Sequence, residues 1–322
     1  MPIKEINLVK PDIVRATSRD IDEITDRLAG WASDWRQLES GRQENRIEVI
    51  AGQTVVVQLF RIAHPVHQQG IAPSESVTFG FPDIQSQLNF LGREISGPMM
   101  FDFNDPSGYD CVSGKDFGGV TVSFSKEKFL RIAERLKLPV TQLTGSNQPR
   151  LLSRENYALG EFRQYIQGLC QRMAQDKTPK ERHFSTVELE EELPVRLLTA
   201  LADSRLGSDD QPLKARQKGL RLAVEFIEVN SQFNPSIPDI CSASGLSWRS
   251  LNRAFKESFG IGPKRYLLNL RLTQARRQLK SAQPGTKVVD IANDWGFWHM
   301  GDFARQYRKI FCEPPAESLA RK

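Results

Sequence analysis

The stretch IPDICSASGLSWRSLNRAFKESFGIGP, residues 237–263, decides the fold of the last third of the chain. Ser236 can cap a first helix, and Gly245 can take the left-handed conformation that ends it. Ser247 can then cap a second helix, which Gly260 closes. The sequence therefore predicts a helix, a tight turn and a second helix.

The same pattern returns in VVDIANDWGFWHMGDFARQYRKIFCEPP, residues 288–315. Its residues match the first stretch at an offset of 51 up to Gly296 and, after one extra residue, at an offset of 52. So many matches in type and order indicate a duplicated helix-turn-helix unit. Residues 264–281 between the copies predict one long helix, with packing positions at Tyr266, Leu267, Leu270, Ala275 and Leu279.

The second helix of the first unit has an apolar side and an open side. The apolar stripe consists of Leu251, Ala254, Phe255 and Phe259, and the open side carries Trp248, Arg249, Asn252, Arg253 and Lys256. An arginine can pair with guanine and an asparagine with adenine in the major groove, whereas a lysine suits a phosphate. The pattern therefore predicts a DNA-reading helix. The alternative is a small helical domain with a charged exterior.

Charge is distributed unevenly along the 322 residues. The formal net charge is +5, but residues 213–322 hold 19 Lys and Arg against 9 Asp and Glu, a net charge of +10. A basic module on an acidic body is typical of nucleic-acid binding. The long helix between the two units would fix their separation. If it holds the second helices of the two units about 34 Å apart, both can face one side of a DNA duplex.

The first two thirds of the chain predict a β-rich domain with flanking helices. Short β-rich runs separated by Gly, Pro, Asn and Asp favour an antiparallel sandwich or barrel, and they lie at 54–60, 76–79, 99–103 and 119–124. Helical periodicity predicts helices over 18–39, 125–136, 155–175 and 186–203. The last of these is expected to be interrupted near Pro194.

The expected fold class is therefore α+β with several domains. Residues 1–207 are expected to form a β-rich sensory or dimerisation domain, and residues 208–212 a linker. Residues 213–322 are expected to form an all-α domain with two helix-turn-helix units joined by a long helix.

About the last hundred residues resemble the AraC/XylS family of bacterial transcription regulators. In the first unit the resemblance is carried by Gly245, Ser247, Leu251, Arg253, Phe255, Gly260 and Pro263. In the long helix and the second unit it is carried by Arg271, Leu272, Ala275, Leu279, Ala292, Gly296, Phe297, Phe303, Arg305, Phe311 and Pro315. The resemblance implies base-reading residues at Arg249, Asn252 and Arg253, and at Met300, Gly301 and Arg305.

The second unit departs from the family pattern. Met300 and Gly301 offer no side-chain hydrogen bonds to base edges, so we expect this unit to act mainly through Arg305 and phosphate contacts, with Arg308 beside it. Cys312 stands where the family has a glycine, from which we expect an altered helix end.

A finer resemblance is to the ethanolamine-operon regulator branch of the family. It rests on residues 262–263, 271–272, 276–277 and 295–299, and upstream on residues 79–82, Phe90 and Gly92. It implies a β-rich sensory domain at the N-terminus, but it does not imply that this chain binds the same ligand.

The expected function is that of a sequence-specific DNA-binding transcription regulator, with no catalytic residue, cofactor or metal. Most family members activate transcription, so the resemblance implies an activator, controlled through the N-terminal domain by a small molecule or partner. Double-stranded DNA is the expected partner. RNA polymerase, a small-molecule effector and a second copy of the chain are further candidates.

Two alternatives stay open. One is a ligand-binding, enzyme-like domain with a helical appendage, although the sequence contains no evident nucleophile, acid–base pair or metal set. The other is a nucleoid-type DNA binder without sequence preference.

The remaining notable side chains predict packing. His64 and His67 lack a clear set of companion metal ligands, and Cys111 and Cys170 are expected in the core. Core or interface positions are also expected for the tryptophans Trp31 and Trp35, and packing beside the second turn for Trp295 and Trp298. The sequence predicts no signal peptide or membrane span, and its four cysteines lack paired spacing, so a cytoplasmic location is expected.

Overall fold

A computed structural model describes residues 11–28, 30–90, 93–95, 99–138, 151–152, 157–175, 178–203 and 215–320. Its strands confirm the β-rich N-terminal domain. Their bounds are β1 Asp12–Ser18, β2 Ala32–Gln37, β3 Asn45–Ala51, β4 Val55–Ile62, β5 Val66–Ile71, β6 Ser76–Pro82, β7 Leu88–Phe90, β8 Arg93–Ile95, β9 Met100–Asp102, β10 Tyr109–Ser113, β11 Phe117–Ser125 and β12 Leu151–Leu152. The expected linker at 208–212 and Gly92 lie outside the described residues.

The strands form two antiparallel sheets. The larger has seven strands in the order β1-β3-β4-β11-β6-β9-β12, and the smaller has five in the order β2-β5-β10-β7-β8. In the larger sheet Thr121 of β11 lies opposite Gln58 of β4 on one side and Gly80 of β6 on the other. Most neighbouring strands are therefore distant in sequence.

Apolar side chains fill the space between the sheets. Trp35 and Cys111 of the smaller sheet are buried in one core with Ile47, Ile62 and Phe117 of the larger sheet. This confirms the core positions expected for Trp35 and Cys111. Because side chains alternate along a strand, the neighbours of these residues point to the outer face of the smaller sheet.

The helix expected over 18–39 is wrong except near its start. Only α1, Ile21–Thr25, is helical, and Asp20 rather than Ser18 caps it. Trp35 lies instead in β2, which pairs with β5. The apolar residues of this stretch do face the core, but from a short helix and then from a strand, so non-local pairing overrides their helical spacing.

Helices cover the opposite face of the larger sheet. They are α2 Lys126–Arg135, α3 Tyr157–Gln175, α4 Pro179–Val187, a π-helix Glu188–Glu192 and α5 Leu193–Asp203. Phe129, Phe162 and Leu197 pack from these helices against Phe79 and Val122 of the sheet. The irregularity expected near Pro194 is confirmed as the π-helix that precedes it.

The C-terminal domain is helical and contains both expected helix-turn-helix units. Its helices are α6 Ala215–Asn230, α7 Ile237–Ser244, α8 Trp248–Phe259, α9 Pro263–Lys280, α10 Val288–Asp294, α11 Met300–Phe311 and α12 Pro315–Ala320. Ser236 and Ser247 cap α7 and α8, and Gly245 and Gly260 end them in the left-handed conformation, as the sequence predicts. We call α8 and α11 the first and second reading helices, and α9 the connector helix.

The connector helix supplies side chains to two cores. Tyr266 and Leu270 from its first half pack in the core of the first unit. Ala275 and Leu279 from its second half pack in the core of the second unit. The predicted packing positions are confirmed, and one rigid helix fixes the two units relative to each other.

The altered helix end expected at Cys312 is wrong. Cys312 adopts a left-handed φ of 54°, and its N–H donates to the carbonyl of Arg308. The N–H of Gly260 donates to Lys256 in the same way at the end of the first reading helix. The second reading helix therefore ends like the first, although a side chain is strained in this conformation.

Candidate nucleic-acid interface

The first reading helix exposes its polar side. An open groove runs along this side and is lined by Trp248, Arg249, Asn252, Arg253, Lys256 and Glu257. Arg249 and Lys256 are exposed, Asn252 is half-buried, and the side chain of Arg253 is 67% exposed. The four residues predicted to contact DNA from this helix thus lie together on one surface.

A carboxylate orients Arg253 in this groove. Nε of Arg253 donates to Oε1 of Glu257 at 2.7 Å, and Nη2 of Arg216 from α6 lies 2.7 Å from Oε2 of the same carboxylate. The hydrogen bond from Arg253 lowers the pKa of Glu257, so the carboxylate is ionised at neutral pH. The remaining N–H donors of Arg253 are available for a base.

The second reading helix offers a different set of groups. Arg305 is 75% exposed and pairs with Asp302, and Arg308 is exposed beyond it. Nothing lies near the position where a side chain of Gly301 would begin, and Met300 packs partly against the core of the second unit. This helix therefore presents cations together with Asp302 in its first turn, and no side chain at Gly301.

The packing expected for Trp298 is wrong, whereas that expected for Trp295 is confirmed. Trp295 packs against the second core, and its Nε1 donates to Oε1 of Gln278 at 2.7 Å. Trp298 is 74% exposed. Gly296 between them has a φ of 71°, which reverses the chain and sends the two indoles to different surroundings.

A second polar surface, which no sequence pattern indicates, lies where the outer face of the five-stranded sheet and the residues around it pack on the C-terminal domain. We call it the domain interface. Nη1 of Arg276 donates to Oδ1 of Asp20 at 2.7 Å, and its Nη2 donates to Oε1 of Glu313 at 3.0 Å. Lys280 binds the other oxygen of Asp20 at 2.7 Å. Arg276, Asp20 and Glu313 are all buried.

A second arginine of the connector helix repeats this arrangement. Nε of Arg277 donates to Oδ1 of Asp22 at 2.8 Å, and Nη1 donates to Oδ1 of Asp34 at 2.8 Å. Nη2 donates to the carbonyl of Trp35 at 3.0 Å. Strand β2 and helix α1 are thus held on the connector helix by charge-assisted bonds.

The outer face of the smaller sheet continues the domain interface with a buried network. Nε2 of His67 donates to Oδ1 of Asp110 at 2.8 Å, and its Nδ1 lies 2.9 Å from the hydroxyl of Tyr266. Arg36 donates to that hydroxyl at 3.3 Å and to Glu228 of α6. His67 and Tyr266 are fully buried, and the bonds of this network to Tyr266 and Glu228 exist only while the domains are docked.

The N-terminal domain also touches both reading helices. Nδ2 of Asn89 donates to the carbonyl of Glu257 at 3.1 Å, near the end of the first reading helix. The N–H of Gly41 donates to the carbonyl of Ile310 at 3.4 Å, near the end of the second. Leu38 is buried in the core of the first unit. The domain interface therefore spans both units and leaves the groove of the first reading helix open.

Burial and ion pairing act in opposite directions on the interface carboxylates. Burial raises the pKa of Asp20, but the pairs with Arg276 and Lys280 outweigh it and hold the pKa below its ordinary value of 3.8. For Asp22 burial prevails over the pairing with Arg277, and the pKa is raised.

The other candidate groups do not form a reactive site among the described residues. Nε2 of His64 accepts from the N–H of Gln43 at 3.2 Å, and His67 belongs to the domain interface. Cys111 and Cys170 are buried as expected, and burial raises the pKa of Cys170 to about 12. The part of the chain that the structure describes holds no cluster of three or more His, Cys, Asp or Glu suited to a metal. None of its helices is long and apolar enough to cross a membrane.

Comparison with known proteins places both units among helix-turn-helix regulators. Residues 240–321 match the family described as a helix-turn-helix domain. The chain is 31% identical over 230 residues to the HTH-type transcriptional activator RhaS of Escherichia fergusonii. The aligned residues make up 71% of this chain and 79% of that protein.

Other relatives match in the C-terminal domain. The chain is 36% identical over 100 residues to XylDLEGF operon transcriptional activator 1 of Pseudomonas putida, covering 31% of this chain and 30% of that protein. It spans about a third of the length of this and several other curated relatives. A crystal structure of a transcriptional regulator with an AraC-type DNA-binding domain from Chromobacterium violaceum is 36% identical, covering 33% of this chain and 92% of that one, with a TM-score of 0.31.

Proposed function

Because the chain belongs to the AraC/XylS family of transcription regulators, we propose that it regulates transcription by binding a specific DNA sequence through its two reading helices. The proposal assigns it no catalytic reaction, cofactor or metal. Double-stranded DNA is its partner.

The exposed face of the first reading helix carries this proposal. Arg249 and Arg253 have the donors that pair with O6 and N7 of guanine, and Asn252 has the donor and acceptor that pair with adenine. Lys256 at the end of the groove suits a phosphate. A surface that binds DNA through charge alone would not need the amide of Asn252 between Arg249 and Arg253.

The second reading helix has a supporting role in this proposal. Arg305 and Arg308 bind phosphates or a single guanine, and Gly301 places no side chain between the helix and the groove. Met300 contributes apolar contact, since its thioether offers no donor to a base.

We propose further that the N-terminal domain controls DNA binding through the domain interface. This interface contacts the connector helix and the ends of both reading helices, so any change in docking reaches both units. A small molecule or partner that binds one docked arrangement better than another shifts the population of that arrangement, and DNA affinity with it.

Relatives named as transcriptional activators support activation as the direction of control. RNA polymerase is the further partner that we propose for activation. A second copy of the chain is another, since it would double the number of reading helices at an operator. Membership of the ethanolamine-operon branch is a further proposal, supported by the sequence around Trp295 and Trp298.

The proposal is tested by selecting duplexes bound by the full chain from a random pool and mapping the enriched sequence to the genome. We expect one motif with two half-sites about one helical turn apart, and a bound complex that random DNA does not displace at equal concentration. The control is a variant with Arg249, Asn252 and Arg253 all replaced by alanine, which leaves the buried stripe intact.

A full chain that enriches no motif, or that loses its DNA to random competitor as readily as to the motif, overturns the proposal. That outcome favours a nucleoid-type binder. Motifs near genes of ethanolamine use would support the finer branch, and motifs elsewhere would exclude it.

A further inference from the structure

Two of the five tryptophans in the chain are exposed, and both lie where a reading helix begins. Trp248 is the first residue of the first reading helix and is 50% exposed. Trp298 lies two residues before Met300, the first residue of the second reading helix, and is 74% exposed. The remaining tryptophans, Trp31, Trp35 and Trp295, are buried or partly buried.

The surroundings of Trp298 narrow down what can cover it. The second reading helix continues with exposed cations at Arg305, Arg308 and Lys309, which favour a polyanion. In the first turn Gly301 has open space around it, and the exposed carboxylate of Asp302 is paired with Arg305. The first turn of a reading helix is also the part that reaches base edges in the major groove.

One group in the major groove suits an indole. The C5-methyl of thymine is the only apolar group on the base edges there, and the other groups are hydrogen-bond donors and acceptors. An apolar side chain in this position gains by removing that methyl from water.

We propose that Trp298 is a specificity-determining residue that contacts a thymine methyl in the second half-site. This inference rests on the proposed function, because it needs a specific DNA site. It gives the second unit a sequence preference that Met300 and Gly301 cannot supply through hydrogen bonds.

The test uses the full chain and the duplex selected above, with each thymine of the second half-site replaced in turn by deoxyuridine. The replacement removes one methyl and leaves base pairing unchanged. We expect one or two positions at which affinity falls about fourfold, the effect of burying a single methyl-sized group.

The same scan on Trp298→Ala should show no further loss at those positions, because the partner of the methyl is gone. The control variant Tyr157→Ala removes an aromatic side chain that is 79% exposed in the N-terminal domain, and it should keep the response of the unaltered chain. Circular dichroism checks that Trp298→Ala retains its helices. Deoxyuridine in the first half-site should affect Trp298→Ala and the unaltered chain equally.

An equal response of Trp298→Ala and the unaltered chain in the second half-site overturns the inference. So does a selected half-site without thymine. In both cases the proposed function still stands, since a motif has been selected. A chain that selects no motif refutes the proposed function and this inference together.

Discussion

Replacing Asp20 by asparagine tests whether the domain interface holds the two domains together. Asp20 is 4% exposed and binds both Arg276 and Lys280 at 2.7 Å. Asparagine keeps the shape and is an equally good helix cap for α1, but its NH2 group donates where one carboxylate oxygen accepted, so the charge and one hydrogen-bond acceptor are lost. Arg276 and Lys280 of the connector helix then lose the carboxylate that both of them bind.

The expected loss follows from burial. Removing one partner of a buried ion pair costs about 3–5 kcal/mol, because the other charge stays buried and unpaired. Arg276 retains Glu313, and Lys280 is 23% exposed and can reach water. We therefore expect a value at the lower end, about 3 kcal/mol.

Urea unfolding followed by tryptophan fluorescence measures this loss. With a denaturant slope of about 3 kcal/mol per molar, the midpoint should fall by about 1 M. The matched control is Asp26→Asn, an exposed aspartate at the end of α1, which should change stability by less than about 0.5 kcal/mol.

A double-mutant cycle with Arg276→Met isolates the pair, with an expected coupling of about 1–3 kcal/mol. If Asp20→Asn behaves like Asp26→Asn and the coupling is close to zero, the reasoning from burial is refuted. The docked arrangement of the domains would then not depend on this ion pair.

Four further predictions concern DNA binding and pH. Arg253→Ala should weaken binding to the selected site by about 1–3 kcal/mol in an electrophoretic shift assay; equal weakening on random DNA would contradict base reading. The isolated fragment 213–322 should fold and bind DNA with an affinity that falls steeply as salt rises, and a folded fragment inert at low salt would contradict this. In a base-substitution scan of the DNA site, more base pairs under the first unit than under the second should lower the binding free energy by about 1–3 kcal/mol when changed. Equal or greater sensitivity under the second unit would contradict the supporting role assigned to it. Because folding lowers the pKa of Asp20 and Asp34, both carboxyls stabilise the folded state above pH 3.8, and this stability is lost as pH falls through their folded-state pKa values. Folding raises the pKa of Asp22, so this carboxyl acts on stability in the opposite direction. NMR titration of the three carboxyls checks the direction of each shift.

The helix-turn-helix units could be predicted because their signals are local. Ser236 and Ser247 act on N–H groups within one turn, and Gly245 and Gly260 terminate helices at their own positions. Cys312 shows the limit of this reasoning. It ends the second reading helix in the left-handed conformation although a residue with a side chain disfavours it.

The domain interface could not be predicted because its partners are far apart in the sequence. Asp34 and Arg36 alternate with Trp35 along β2, which is the pattern of a strand with one face in water. The structure covers that face with the connector helix, more than 200 residues away. A charged face that meets protein is indistinguishable in sequence from one that meets solvent.

The connector helix, which belongs to two cores, also constrains how this protein can evolve. One inserted residue would rotate the second unit by about 100° and shift it by about 1.5 Å relative to the first. Ala275 and Leu279 would turn together with the second core to which they belong, so the insertion would change the orientation of the second unit and not its packing. Descendants of this chain should therefore keep the number of residues between their two glycine turns constant. New operators would arise by changing which bases are recognised, not by changing the distance between the half-sites.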